Sequence, residues 1–358
     1  MLLFTPGPVA VSEEVLKAQT QEMITHRGKE FQELYKRIVE KIKNLCNAQK
    51  VLIITGSGTA AIEANFQNAL GENKTALVLS NGAFGDKLNS HSKLYYNTIF
   101  ERYNNAQGID LAVAKEKIDL ASEKGAELFC MVHHETSPGI LNKVREVCTY
   151  AKSKGMLTLV DGTSAFPAYE LDHEKDGIDF YSWASQKALA CPPGLAVVSL
   201  SVDAIEAIKK SPNRCNYLNL KEYIKKQDET FETPTTPAIS LMWAMNKALD
   251  KLLQEGLENF INRHREYADF VREEIKKMGF KLVVDERFAS NTVIAFFTSK
   301  NKELNSHLQK KYGVKLGGGH ADWKENSLRF CVMGDLDLNK IKYGLECLKK
   351  AKEELGVI

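Results

Sequence analysis

A chain of 358 residues, 44% of them hydrophobic and 26% charged, is long enough to bury more than one compact core. Its formal net charge of only +2 gives no electrostatic reason to expect nucleic acid, an acidic partner or a membrane surface. Seven scattered cysteines without a CxxC pair argue against a zinc site or a disulfide framework and suit reduced thiols in a cytoplasm. The opening MLLFTPGPVA lacks a basic n-region, and no segment reaches the apolar length of a membrane span, so a cytoplasmic protein is expected.

The periodicity predicts helices over 12–23 and 29–46, the second carrying Phe31, Leu34, Ile38 and Ile42 on one face. A short apolar run, Val51 to Thr55, precedes a glycine turn and a helix over 58–70. Further buried strands are predicted at 76–79, 128–132, 157–160, 180–183 and 195–200, with a helix over 141–154 among the intervening patterns. Short apolar strands alternating with helices imply an α/β domain with a mostly parallel sheet covered on both faces. From about Pro237 a long helical pattern, with room for a bend, runs to Met278 and ends at Gly279, a suitable C-cap. Strands near 281–284, 291–298 and 327–333 and helices near 301–312 and 337–355 follow. They read as a smaller α+β domain. The expected division is an N-terminal segment 1–14 associated with the site, a large domain 15–240, and a linking helix with a small domain over 241–358.

Three segments carry chemistry. Thr55-Gly56-Ser57-Gly58-Thr59 follows a strand and opens a helix, where free N–H groups make an anion site. The same turn resembles half a dinucleotide fingerprint, but the next strand ends Leu79-Ser80-Asn81, without the acid that would hold a ribose. An ordinary glycine turn is the plainer alternative. Asp161 ends the buried run 157–160, where open α/β sheets bind ligands, although a strand-end Asp also caps helices. Lys187 stands just past another strand, within Ser185-Gln186-Lys187 and before Pro192-Pro193-Gly194. A lysine whose surroundings lower its pKa is a nucleophilic amine, though a lone lysine is usually a solvated charge. Together, Asp161 and Lys187 are the pair that pyridoxal phosphate (PLP) chemistry requires: one supports the ring nitrogen, the other holds the aldehyde as a Schiff base.

With these motifs on the page the sequence resembles the class V aminotransferases of PLP fold type I, especially the alanine–glyoxylate and serine–pyruvate (serine–glyoxylate) group. The resemblance runs from Thr5-Pro6-Gly7-Pro8 and His26-Arg27, through Ser80-Asn81-Gly82-Ala83-Phe84-Gly85 and His134-Glu135-Thr136-Ser137-Pro138-Gly139. It continues through Thr233-Pro234-Thr235-Thr236-Pro237 to Leu328-Arg329-Phe330. It implies a large domain with a mostly parallel sheet of the seven-stranded type and a smaller C-terminal domain. It makes Lys187 the Schiff-base lysine and Asp161 the partner of the pyridine nitrogen. It places Ser57, Gly58, Thr59 and Gln186 on the phosphate, Thr136 near the phenolic oxygen and Phe84 stacked on the ring. Core packing is the alternative for Phe84. Arg329 becomes the clamp for the substrate α-carboxylate, a task suited to a bidentate guanidinium, with a strand-end surface arginine as the alternative. Gly7 is expected beside the substrate. The resemblance further implies a homodimer with shared sites, Thr235 reaching the neighbouring cofactor phosphate. The chain departs from some relatives at Thr59, where they have histidine, and at Phe231-Glu232, where they have tyrosine.

The function implied is transfer of an amino group from a small amino acid, serine or alanine, to a small 2-oxo acid, glyoxylate or pyruvate. A PLP-dependent lyase or a cysteine desulfurase on the same fold is the alternative, and Cys191 in the Ala190-Cys191-Pro192 turn is the cysteine to consider for it. No metal is expected, because the adjacent His133 and His134 would point to opposite faces of a strand. The run Gly317-Gly318-Gly319-His320 suits either a simple turn or a mobile loop over the site.

Overall fold

The computed structural model describes residues 1–103 and 106–357. Seven strands form the central sheet in the order Lys50–Thr55, Leu195–Leu200, Phe180–Ala184, Leu157–Asp161, Ala126–Val132, Thr75–Ser80, Asn97–Arg102. All run parallel except Leu195–Leu200, which is antiparallel to both neighbours. Successive residues enter opposite cores, as a pleated strand requires. Val51 and Ile53 join one core with Phe31, Leu34 and Ile38 of the helix Lys29–Cys46, while Leu52 and Ile54 join the other with Ala61 and Phe66 of the helix Gly58–Ala69. Burial on both faces explains why these strands read as unbroken apolar runs.

A second sheet, in the order Leu2–Phe4, Val314–Gly318, Ser327–Cys331, Val293–Phe297, packs on the helices Leu257–Lys277 and Leu338–Leu355. The N-terminal strand lies parallel to Val314–Gly318, and Phe4 meets Phe330 at a ring separation of 4.3 Å. This pairing ties residues 2–4 to the C-terminal sheet, and Pro6 beyond it accepts a hydrogen bond from Lys187. Among the described residues no helix is long and apolar enough to cross a membrane.

Several predicted elements differ. The helix expected over 12–23 spans only Glu13–Ala18. The long helix is two, Ile239–Glu255 and Leu257–Lys277, broken at Gly256, whose φ of +84° interrupts the helical path. Residues 281–284 form no strand beyond a single bridge from Leu282 to Phe296. Of the glycine run, Gly317 and Gly318 are strand residues, paired with Arg329 and Leu328.

Four histidines are buried: His133, His134, His173 and His264. Burial pushes them down from 6.5 to about 4, 3, 4 and 3 respectively. The unfolded chain therefore takes up protons below pH 6.5 that the native state refuses, so stability falls with pH over that window. Each group costs about 1.4 kcal/mol per pH unit there. Buried Glu135 and Asp161, whose carboxyls burial raises, act in the opposite sense but are two against four. The melting temperature of the cofactor-free protein should drop steeply between pH 6.5 and 4.5, and a flat profile would contradict this burial.

Candidate active site

The parallel strands end on one edge of the sheet, so the segments following residues 55, 132, 161 and 184 converge. There Ser57, Gly58, Thr59, Phe84, His134, Thr136, Asp161, Gln186 and Lys187 line one cavity of about 160 Å³. That is close to the roughly 150 Å³ known to admit a benzene ring, so a single aromatic ring fits.

Asp161 is buried, and one of its oxygens accepts the Thr163 N–H at 2.9 Å. Burial raises its carboxyl above the usual range, opposed by Thr163 and by the charges of Lys187 and Lys87. It caps no helix, because a turn and not a helix follows its strand; it closes that turn and lines the cavity. Lys187 sits in a tight turn closed by the Ala190 and Cys191 N–H groups, which donate to the carbonyls of Lys187 and Ser185. Its Nζ donates to the Pro6 carbonyl at 2.8 Å. Burial, then the nearby Arg329, lowers its pKa, with Cys331 and Asp161 opposing. A larger share of neutral amine follows, which is the nucleophilic form.

Gly7 has φ of +137°, and a Cβ there would lie 2.6 Å from Lys187 Nζ. Gly7→Ala should therefore displace the amine and strain the backbone, weakening PLP retention by about 10- to 100-fold for 1–3 kcal/mol of strain. Equilibrium titration with PLP checks this, and unchanged affinity would refute it.

Ser57 is the N-cap of the helix Gly58–Ala69 and leaves its side chain free, so the first N–H groups remain open to an anion. Gln186 Oε1 is buried without a partner. Phe84, at the start of the helix Ala83–Ser92, lies partly exposed at the cavity with its ring stacked at 5.5 Å on His320. It also packs against the core beneath the sheet, so it serves both surfaces. Glu135, fully buried, fixes that helix start: one carboxylate oxygen accepts the Phe84 and Gly85 N–H groups, both at 3.0 Å. Arg329 is buried, not a surface residue. Its Nε donates to the Gly318 carbonyl at 2.8 Å and its Nη1 to the Thr136 carbonyl at 3.0 Å. Among the described residues no carboxylate lies within salt-bridge distance of it.

Thr235 does not line this cavity. Its segment is instead held by Arg27, which pairs with Glu232 at 2.7 Å and donates to the Thr233 and Pro234 carbonyls. Cys191 is buried, with its thiol pushed up to about 12, so it is no ready nucleophile. His133 bonds the Tyr181 hydroxyl at 2.9 Å while His134 lines the cavity, and both rings lie against Tyr169, at 5.8 and 6.2 Å. Three participants were not singled out from the sequence. Lys87 reaches Thr59 Oγ1 at 3.1 Å, and the FG-x-K spacing is its only sequence trace. Glu135 left no trace beyond its place in a motif. In the sequence His134 suggests only a metal ligand.

The cavity suits a bound PLP by its own chemistry. It offers a lysine amine of lowered basicity, a carboxylate at a strand end, an open helix N-terminus, and polar atoms of Gln186 and His134 that are buried without protein partners.

Residues 9–326 match the family described as Aminotransferase class-V. The chain is 33% identical over 363 residues to an uncharacterised aminotransferase of Methanocaldococcus jannaschii, covering 99% of this chain and 93% of that one. It is 29% identical over 327 residues to a serine–glyoxylate aminotransferase of Arabidopsis thaliana, covering 88% and 81% of the two. It superposes on an aspartate aminotransferase of subgroup IV from Thermus thermophilus with a TM-score of 0.90, at 25% identity over 99% of both chains. A seven-stranded, mostly parallel sheet with a cavity suited to PLP at its edge, and this family match over most of the length, give one conclusion: the chain belongs to the class V aminotransferases and is a PLP-dependent transaminase of fold type I.

Proposed function

We propose that the protein moves an amino group from a small amino acid, serine or alanine, to a small 2-oxo acid, glyoxylate or pyruvate, and that Lys187 and Asp161 are its catalytic residues. The observation that carries this reading is the meeting of Lys187, Asp161 and the helix start at Ser57 in one cavity. PLP supplies an electron-accepting ring that stabilises negative charge at the donor Cα. Lys187 holds its aldehyde carbon and, once released, takes the Cα proton, for which its lowered basicity suits it. Asp161 holds a proton on the ring nitrogen, and a cationic ring in turn relieves the cost of its own burial. Ser57, Gly58, Thr59 and Gln186 bind the phosphate, and Thr136 bonds the phenolic oxygen. Phe84 covers the ring and excludes water. Arg329 orients the substrate by its carboxylate, with Gly7 beside it.

Small substrates are favoured because the cavity, about 160 Å³, has room for little beyond one aromatic ring. The name of the Arabidopsis relative points the same way. We further propose that the protein works as a cytoplasmic homodimer. Support comes from the segment 233–237, which Arg27 holds by two carbonyls and whose Thr235 does not line its own cavity.

The test is the visible spectrum of the PLP-loaded protein with L-serine, L-alanine and L-aspartate added singly, without acceptor. Serine or alanine should bleach the band and release one equivalent of oxo acid, and glyoxylate or pyruvate should restore it. A band that neither donor changes would contradict the proposal.

A further inference from the structure

His134 lies in a short two-stranded ribbon, His134–Glu135 against Ile140–Leu141, just past the sheet edge. Its side chain is 1% exposed and lines the cavity together with Thr136, Asp161 and Lys187. One face of its ring rests on Tyr169, at a centroid distance of 6.2 Å. Neither ring nitrogen has a protein partner at normal hydrogen-bond geometry, and the Ser164 backbone is the one hydrogen-bonding group that acts on the ring from within the protein. Buried polar atoms almost always have one, so a side chain held this way beside a binding cavity calls for a partner from the ligand. Burial, with His133, Lys187 and Arg329 nearby, holds the imidazole neutral, and Asp161 is the carboxylate lining the same cavity. A neutral imidazole keeps one N–H donor and one bare nitrogen.

The chemistry of PLP limits what that partner is. Around its ring the nitrogen is followed by a methyl-bearing carbon, then the phenolic carbon, the aldehyde carbon and the carbon carrying the phosphate arm. The proposed function sets the nitrogen at Asp161, the aldehyde at Lys187 and the phosphate at the helix start 57–59. The phenolic oxygen is the remaining polar group, next to the aldehyde and on the side away from the phosphate. We infer that His134 donates its N–H to the phenolic oxygen of the bound cofactor, as a second partner beside Thr136. This inference rests on the proposed placement of Lys187 and Asp161.

A donor at that oxygen has a measurable consequence. The nitrogen joining Lys187 to the cofactor keeps its proton partly through the adjacent phenolate. A protein donor on the phenolate weakens that hold and lowers the pH at which the visible band titrates. In PLP-loaded His134→Phe the midpoint should rise by about one pH unit, a tenfold change in the proton equilibrium. His134→Asn, which keeps an N–H, should stay near the unsubstituted protein. An unchanged midpoint in His134→Phe, or equal shifts in both variants, would overturn the inference. If the phenylalanine variant does not fold, ring nitrogen NMR of the unsubstituted protein decides. The His134 resonances should differ between protein loaded with PLP and protein loaded with 3-deoxypyridoxal phosphate, and identical resonances would overturn it. Failure of the premise reads differently: the unsubstituted protein would then show no visible band that Lys187→Ala removes.

Discussion

Lys187→Ala should lose the visible band of the loaded protein and at least about 10³-fold of its turnover, since both covalent attachment and proton transfer depend on one amine. The variant should still fold. The Lys187 side chain makes one hydrogen bond, to the Pro6 carbonyl, and its removal leaves that carbonyl beside an open cavity that water can enter. Lys187→Arg should not rescue, although it preserves the charge, because a guanidinium does not release its proton at working pH. The pair of variants separates charge from proton transfer. Comparable turnover in the arginine variant would mean that Lys187 acts only as a cation.

The second large effect is expected at Arg329. Its Nε and one Nη1 hydrogen are committed to the Gly318 and Thr136 carbonyls, which fix the guanidinium plane and leave Nη2 for a ligand. Burial lowers its pKa, so an incoming carboxylate meets a poorly solvated cation, the setting in which such pairs contribute most. Arg329→Gln should reduce kcat/KM by about 10²- to 10³-fold, or roughly 3–4 kcal/mol. Because every amino acid and oxo acid carries the same carboxylate, KM should rise for donor and acceptor alike, with the visible band of the loaded protein unchanged. Arg329→Lys should recover little, having lost the planar fork. A rise in KM for one substrate only would show that Arg329 reads a side chain instead.

Most of this arrangement was legible in the sequence, for a physical reason. Parallel strands buried on both faces are mostly apolar, so the polar stretch that follows each marks the sheet edge. Asp161 after Leu157–Val160 and Ser185 to Lys187 after Phe180–Ala184 stood out in that way. Elements without that contrast were missed. Asn97–Arg102 is an edge strand with every residue partly or fully exposed. Val314–Gly318 ends in glycines that suggest a turn, yet it pairs with Leu2–Phe4 from the far end of the chain, a contact that no local pattern announces. The break at Gly256 was masked because the leucine pattern continues on both sides of it. At the site, the roles of Glu135 and His134 depend on what the fold brings near them. A buried carboxylate receiving two helix N–H groups and an imidazole left without partners are tertiary facts.

The central claim is that the cofactor is held at Lys187, and Lys87 is the other lysine lining the cavity. Borohydride reduction of the PLP-loaded protein, followed by peptide mass spectrometry, tests this most directly. A single reduced cofactor adduct is expected on the peptide containing Ser185-Gln186-Lys187. An adduct on Lys87, or on no single lysine, would contradict it.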